Sequence, residues 1–249
     1  MARRLFFVPK VRNGKADLEG EDARHLRRVL RAEPGQKYEL SDNQQLYLAE
    51  IDTIGKDIVS FHVIETLQPV QPSLRLTLLT ALIKFDRLEW ILEKATELGV
   101  ERILPVDAAR SEKGLMDASR KRSERWQRIA REASQQSRRV SAPEILPAVR
   151  FTQCLGEAAD YRYFLEEGAA PPVLQIAPPD RKASDHVALL LGPEGGWTGE
   201  ERSQAAAAGW QPVSLGPLVL RAETAAAAAL AVIFNIWLAG TGSTPNSLQ

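Results

Sequence analysis

The stretch "LLLGPEGGWTGEE", residues 189–201, contains a complete junction between a strand and a helix. The apolar run "VALLL" (187–191) has the length of a buried strand and ends at Gly192. Thr198 and Glu201 have the spacing of a capping box, so a helix is predicted to begin just after the glycines. A bare backbone between the carboxyl end of a strand and a helix start lets a ligand approach main-chain groups closely.

A second loop repeats this arrangement. "VSLGPLVLRAETAAAAA" (213–229) has a strand, then Gly216 and Pro217, a short irregular segment and a helix. Two such loops on one sheet edge suggest an elongated small ligand bound by backbone groups. The sequence lacks the phosphate-loop pattern GxxxxGK[ST], the dinucleotide pattern GxGxxG and the hydrolase pattern GxSxG. Those three ligand and enzyme classes are therefore disfavoured.

The pattern outside the loops predicts two domains. From residue 73 to 240, apolar runs alternate with helical patterns, which is typical of an α/β domain with a mostly parallel sheet. Before it, short alternating stretches separated by polar turns predict a small β-barrel over 1–72. The proline-containing segment "ETLQPVQPS" (65–73) is the predicted linker. Residues 241–249 are predicted to be a disordered tail.

Composition limits the compartment and the cofactors. The only cysteine, Cys154, allows no internal disulfide and no cysteine-based metal cluster, so a cytoplasmic protein without a metal site is predicted. The segment "ETAAAAALAVIFNIWLAG" (223–240) is long enough to cross a membrane. It contains Glu223 and Asn235 and consists largely of alanine, so a buried helix and no membrane contact are predicted.

Charge is segregated along the chain, although the net charge is zero. Residues 110–139 contain ten basic and four acidic residues, whereas residues 155–201 contain three basic and nine acidic ones. The basic segment, which ends with Arg138 and Arg139, is either a solvated helix face or a surface that binds a polyanion such as RNA.

The segment "ARHLRRVLR" (23–31) has helical spacing within the predicted β-domain. Its four arginines fall at i, i+3, i+4 and i+7, on one predicted helix face: Arg24, Arg27, Arg28 and Arg31. Like charges at this spacing repel each other, which favours contacts with RNA phosphates over a merely solvated face. His25, between them, is predicted to form a local hydrogen bond at this RNA-binding surface.

Several segments together resemble one known family. They are "HLRRVLR" (25–31), "KFDRLEWILEKATELGVERILPV" (84–106), "ARS" (109–111), "RWQRIAREASQQSRR" (125–139), "PEI" (143–145), "LGPEGGWTGEE" (191–201) and "LGPLVLRAETAA" (215–226). In this order they closely resemble the bacterial uridine-N3 methyltransferases of small-subunit ribosomal RNA, which belong to the knotted SPOUT superfamily. The resemblance covers nearly the whole chain.

This resemblance implies a fold, a cofactor and partners. The expected fold is a SPOUT-type α/β domain with a deep trefoil knot, preceded by a PUA-like RNA-binding β-barrel. A homodimer would bind S-adenosylmethionine and methylate N3 of a uridine in small-subunit ribosomal RNA, within an assembled subunit. The implied cofactor-binding residues are Thr80, Leu191, Gly192, Glu194, Gly196, Leu215, Gly216, Leu220, Arg221 and Thr224.

One position departs from the family pattern. The family usually has arginine and a branched residue after "LGP", whereas this chain has Leu218 and Val219. The substitution removes a positive charge beside the predicted cofactor loop, while Arg221 remains. This chain therefore lacks that arginine for substrate or partner contacts.

The candidate catalytic residues are Arg110, Glu194, Arg221 and Glu223. The N3 proton must leave, so a glutamate could accept it, or could simply cap a helix. An arginine is too basic to accept a proton but could stabilise charge on the uracil or hold a phosphate. The alternatives are a ribose 2'-O-methyltransferase of the same superfamily and a non-catalytic RNA-binding ribosome assembly factor.

Overall fold

The computed structural model describes residues 4–69, 73–168 and 170–240. It divides into two compact units, one built from the described residues up to 69 with 131–142, the other from 73–130 and the described residues after 142. The assignment of 131–142 to the first unit was not predicted from the sequence. The predicted domain bounds, 1–72 and 73–240, stay a prediction, and the predicted tail lies outside the described residues.

The first unit contains a mostly antiparallel sheet, the short helix α1 (Gly20–Arg28) and the last residues of helix α4 (Ser123–Gln136). Strand order is β1-β3-β4-β5-β2, and only β1 and β3 are paired in parallel. Its core includes Leu18, Leu40 and Phe61, which the alternating pattern places on the inner face, and Leu26 from the helix. The elements are β1 (Leu5–Phe7), β2 (Lys15–Glu19), α1 (Gly20–Arg28), β3 (Lys37–Ser41), β4 (Leu46–Ile54) and β5 (Ile58–Leu67).

Helix α1 is shorter than the sequence predicts. It ends at Arg28, and Arg31 has a left-handed backbone with φ of 49°. The Ala32 amide N–H donates to the Leu26 carbonyl at 3.1 Å, which closes the helix before Pro34. The predicted helical stripe of four arginines is therefore wrong at its fourth member, because Arg31 lies beyond the helix.

The second unit contains a seven-stranded sheet in which every strand pair is parallel. The order is β12-β10-β11-β6-β7-β8, and β9 also pairs with β7. The strands are β6 (Arg75–Ala81), β7 (Arg102–Asp107), β8 (Glu144–Ile145), β9 (Val149–Arg150), β10 (Tyr161–Leu165), β11 (His186–Leu191) and β12 (Gln211–Val213). The helices that lie wholly or partly in this unit are α2 (Phe85–Glu97), α3 (Leu115–Ser119), α4 (Ser123–Gln136), α5 (Phe151–Cys154), α6 (Gly199–Ala207) and α7 (Ala222–Gly240).

Both faces of this sheet are covered, as parallel sheets require. Side chains from α2 and α7 pack on one face, and side chains from α5 and α6 pack on the other. Helix α7 is long and apolar enough to span a membrane by length and composition, yet Leu230, Ile233 and Trp237 are buried in the core. The predicted α/β class with a parallel sheet is confirmed, while the trefoil knot stays a prediction.

The parallel arrangement determines where the loops lie. The carboxyl ends of β10, β11 and β12 lie on one edge of the sheet, and the glycine loops follow β11 and β12. Ligands of open α/β sheets bind outside this edge. Strand β10 was not predicted from the sequence, and it lies between the two strands that carry the glycine loops.

Candidate active site

The loop after β11 is packed against a buried tryptophan. Trp197 is 2% exposed, stacks on Phe164 at a centroid distance of 4.7 Å, and donates from Nε1 to the Leu165 carbonyl at 2.9 Å. A Cβ at Gly192 would lie 2.8 Å from Trp197 Cε2, closer than real Cβ contacts allow. Position 192 therefore requires glycine because the indole ring occupies the space.

Two other glycines have backbones that L side chains rarely adopt. Gly196 has φ of +65° and Gly216 has φ of +115°. A Cβ at Gly216 would meet no heavy atom within 4 Å, and one at Gly196 would meet only Glu167 Oε2, at 3.9 Å. Protein atoms leave the space beside both glycines open, so a ligand can approach the backbone there.

These loops border a pocket of about 610 Å³, counting the part that opens to solvent. Its walls are the end of β10, the two glycine loops and the first turn of α7. The lining residues are Leu165, Glu166, Glu167, Leu191, Gly192, Pro193, Glu194, Gly196, Trp197, Arg202, Leu215, Gly216, Leu218, Leu220, Ala222 and Ala225.

Most of the predicted cofactor residues line this pocket. Three do not: Arg221 and Thr224 are exposed beside the lining residue Ala222, and Thr80 is buried. Thr80 pairs in register with Leu191, and its Oγ1 has no hydrogen-bond partner among the described residues. The seven that line it are Leu191, Gly192, Glu194, Gly196, Leu215, Gly216 and Leu220.

Ion pairs fix two sides of the pocket. Glu194 is paired with Arg87 of α2. The Arg202 guanidinium donates to both Glu166 carboxylate oxygens, at 2.6 and 3.2 Å. The hydrogen bond with the Glu166 carboxylate raises the pKa of Arg202. Glu167 is exposed, and its carboxylate has no ion pair or hydrogen bond in the described part of the chain. It is therefore a charge available to a ligand.

Arg110 approaches the same loop from the end of β7. Its guanidinium donates to the Gly195 carbonyl at 2.6 Å, and a Cβ at Gly195 would lie 3.4 Å from Arg110 Cδ. Glu223 lies in the first turn of α7, which borders the pocket, and its Oε2 is buried with no hydrogen-bond partner among the described residues. The structure thus brings Arg110 and Glu194 to one loop, while Arg221 and Glu223 flank Ala222.

Cys154 has no place in this site. It is the last residue of α5 and is 1% exposed, and burial raises the pKa of its thiol to about 12. A thiol of this kind is inert as a nucleophile at neutral pH. Within residues 4–69, 73–168 and 170–240, no group of three or more His, Cys, Asp or Glu side chains could hold a metal ion.

Comparison with known proteins identifies the family. A family model described as an RNA methyltransferase domain matches residues 70–234, and one described as an RNA methyltransferase PUA domain matches residues 18–64. The Bacillus subtilis ribosomal RNA small subunit methyltransferase E is 33% identical over 227 residues, which are 87% of this chain and 88% of that protein. The Synechocystis protein of the same name is 32% identical over 94% of this chain and 77% of its own length. The chain belongs to the ribosomal RNA small subunit methyltransferase E family.

A solved member of this family has the same fold. The Neisseria gonorrhoeae ribosomal RNA small subunit methyltransferase E, determined with bound S-adenosyl methionine, superimposes with a TM-score of 0.86 at 30% identity. The match covers 95% of this chain and 98% of that one. The resemblance seen in the sequence is thereby confirmed, together with the PUA-like character of the first unit.

The predicted RNA-binding residues of this methyltransferase E family member differ in their contacts. Arg24 is 3.7 Å from Asp57, and His25 Nε2 is 3.3 Å from the Arg4 guanidinium. Arg28 and Arg31 are exposed, Arg27 is half-buried, and Arg139 is half-buried after α4. Arg138 is paired with Glu39, which is 6% exposed, so its charge already stabilises a buried carboxylate. All seven remain candidate RNA contacts.

Sequence reasoning missed one wall of the pocket. Glu166, Glu167 and Arg202 are absent from the predicted set, although all three line it. The signal lies in "YFLEEG" (163–168), an aromatic and apolar run followed by charged residues and a glycine, as at the end of a strand. This run is the end of β10 and the turn after it.

Proposed function

We propose that the protein methylates N3 of a uridine in small-subunit ribosomal RNA, with S-adenosylmethionine as the methyl donor. One observation carries the proposal: two glycine loops with positive φ and open space beside them border a pocket at the carboxyl edge of a parallel sheet. Membership of the methyltransferase E family supplies the reaction class. The uridine N3 position rests on the resemblance in the sequence.

The pocket residues suit this donor. Leu191, Leu215 and Leu220 supply apolar surface for an adenine ring, and the backbone at Gly196 and Gly216 is free to meet polar groups. The unpaired carboxylate of Glu167 matches the positive charge that S-adenosylmethionine carries. Bound there, S-adenosylmethionine supplies an activated methyl group, so the protein contributes mainly alignment and proton handling.

The two arginines are proposed to act on the RNA side. Arg110 lies at the exposed edge of the glycine loop and Arg221 is exposed at the start of α7. Their guanidinium groups would hold an RNA phosphate or stabilise negative charge on the uracil oxygens as the N3 proton leaves. Because an arginine keeps its own proton at ordinary pH, neither is the base.

Glu223 is the better candidate for the proton acceptor. Glu194 is paired with Arg87, and this ion pair supports a role in holding the loop. Glu223 has a buried oxygen without a protein partner in the described chain, and it lies between two pocket-lining alanines in the sequence. We expect Glu223→Gln to lower kcat while S-adenosylmethionine still binds, because the amide cannot accept the proton.

We further propose a homodimer that acts on an assembled subunit in the cytoplasm. Large apolar side chains are exposed on the outer faces of α2 and α7, including Trp90, Val232 and Leu238. Exposed apolar side chains on neighbouring helices suit contact with a second copy. Light scattering in solution tests the dimer, and parallel assays on naked RNA and assembled subunits test the substrate state.

The deciding experiment is methyl transfer from labelled S-adenosylmethionine to unmodified small ribosomal subunits, followed by mass spectrometry of the nucleosides. Appearance of 3-methyluridine is the expected result. A ribose-methylated nucleoside would move the protein to the 2'-O-methyltransferases. Binding to subunits without methyl transfer by the wild-type protein would favour an assembly factor and would draw attention to Leu218, where the family usually has arginine.

A further inference from the structure

Glu201 is a buried carboxylate with more contacts than a helix cap needs. It is 4% exposed, in the first turn of α6. Its Oε2 accepts from the Thr198 amide at 2.8 Å and from the Thr198 hydroxyl at 2.9 Å, which completes the capping box. Its Oε1 accepts from the Ala109 amide at 2.8 Å. The capping box accounts for the contacts of Oε2, but it does not require the contact of Oε1 with Ala109.

The Ala109 contact leads directly to Arg110. Residues 108–111 form a tight turn after β7, in which the Ser111 amide donates to the Ala108 carbonyl at 3.0 Å and the Ala108 amide donates to Ser111 Oγ at 3.2 Å. Arg110 extends from this turn and donates to the Gly195 carbonyl. Glu201 is therefore joined to the glycine loop by two routes, through Thr198 along the chain and through Ala109 and Arg110 in space.

We propose that Glu201 is a positioning residue for Arg110. By binding the Ala109 amide it holds the 108–111 turn at the start of α6, and so fixes the point from which the Arg110 guanidinium reaches the edge of the methyl-donor pocket. The inference rests on the proposed function, because it assigns Arg110 to the RNA side of the reaction. Glu201 itself is enclosed, so it acts on the substrate through Arg110 alone.

Glutamine at position 201 separates the two duties of this carboxylate. The glutamine side chain keeps one acceptor oxygen and places an NH₂ donor in the other position. If the oxygen keeps the Thr198 contacts, the NH₂ group faces the Ala109 amide, and two donors cannot bond to each other. Glu201→Gln thus preserves side-chain size and most of the cap while it releases the turn that carries Arg110.

The test is a double-mutant cycle measured with small subunits as substrate. In the protein that keeps Arg110, we expect Glu201→Gln to lower kcat/KM for the RNA substrate about tenfold. A small displacement of a group that contacts the substrate has effects of this size. In the Arg110→Ala background the same substitution should change kcat/KM less than about twofold, because the group it positions is gone. Calorimetric affinity for S-adenosylmethionine should stay within about twofold in both backgrounds.

Two matched variants separate positioning from general damage. Glu200→Gln removes the same charge from the adjacent exposed residue, whose carboxylate accepts a hydrogen bond from the Gln204 side chain, and should leave kcat/KM unchanged. Thr198→Ala breaks the cap from its other side while the Ala109 contact with Glu201 remains. It should lower thermal stability without the loss in kcat/KM.

If Glu201→Gln does not fold, Ser111→Ala offers a second test, because it loosens the same turn without a change in α6. We expect a smaller loss in kcat/KM, which should again disappear in the Arg110→Ala background.

Three results would overturn the inference. Equal effects of Glu201→Gln in the two backgrounds would show that it does not act through Arg110. A parallel loss of S-adenosylmethionine affinity would place its effect on the cofactor loop. An effect of Glu200→Gln as large as that of Glu201→Gln would show that the loss of a negative charge at the start of α6 explains the lower kcat/KM. Absence of methyl transfer by the wild-type protein would instead overturn the proposed function, so the two failures are distinguishable.

Discussion

Replacing Gly192 with alanine should damage the site by collision with one side chain. The new Cβ would lie 2.8 Å from Trp197 Cε2 and 2.9 Å from Nε1. The indole cannot move aside easily, because it is stacked on Phe164, packed against Phe151 at a centroid distance of 5.3 Å, and hydrogen-bonded to the Leu165 carbonyl. Either the ring shifts and that hydrogen bond weakens, or the loop shifts and the pocket changes shape.

The size of the effect follows from the packing. Insertion of one methyl group into a well-packed region costs about 1–3 kcal/mol. A loss of about 2 kcal/mol lowers the melting temperature of a chain of this length by about 4–8 °C. Because the loop borders the pocket, we also expect the affinity for S-adenosylmethionine to fall about tenfold, which corresponds to about 1.4 kcal/mol. Thermal unfolding followed by circular dichroism and calorimetric titration measure the two quantities.

The matched control is Gly199→Ala, seven residues further along. A Cβ at Gly199 meets no heavy atom within 4 Å, and this residue is the first of α6. Alanine there should keep the melting temperature or raise it, since glycine is about 1 kcal/mol less favourable than alanine in a helix. A Gly192→Ala variant that melts within about 1 °C of the wild type and binds the donor equally well would show that Trp197 does not restrict this position.

Three further outcomes are expected. Arg110→Ala should lower methylation of subunits at least about tenfold while calorimetry shows nearly unchanged donor binding; a parallel loss of donor affinity would contradict its assignment to the RNA. Gly196→Val should abolish calorimetric binding of the donor, because φ of +65° is strained for a β-branched residue and a side chain would enter the open space; unchanged titration by a folded variant would remove this loop from the site. Since burial raises the pKa of Cys154 from 9.0 to about 12, the unfolded thiol ionises first as pH rises. The contribution of Cys154 to the free energy of unfolding should therefore decline between about pH 9 and 12, as measured by denaturant titrations. Rapid labelling of the native thiol at pH 8 by a chromogenic disulfide reagent would contradict its burial.

Local sequence rules predicted the parts of the site that are local in origin. The capping box at Thr198 and Glu201 and the strand before Gly192 both depend on spacing within a short window. These features are confirmed because the backbone chemistry of a strand end or a helix start is the same in any fold.

Contacts between distant residues could not be predicted in the same way. The ion pair between Arg87 and Glu194 joins residues 107 positions apart, and the wall formed by Glu166 and Glu167 exists only because β10 lies next to β11. No periodicity in the sequence records strand order. The fourth arginine of the predicted stripe failed for a different reason, since Arg31 follows a helix end that tertiary packing and a nearby proline determine.

The single cysteine of the chain has a practical consequence for spectroscopy. Cys154 is enclosed in the core, so the native protein offers no competing thiol to a labelling reagent. Leu218, by contrast, is 77% exposed and lines the pocket. Leu218→Cys would therefore allow one fluorophore or spin label to be attached at the mouth of the pocket. Cys154 would not have to be replaced first. Arrival of the donor or of RNA at the pocket could then be followed in real time through that label.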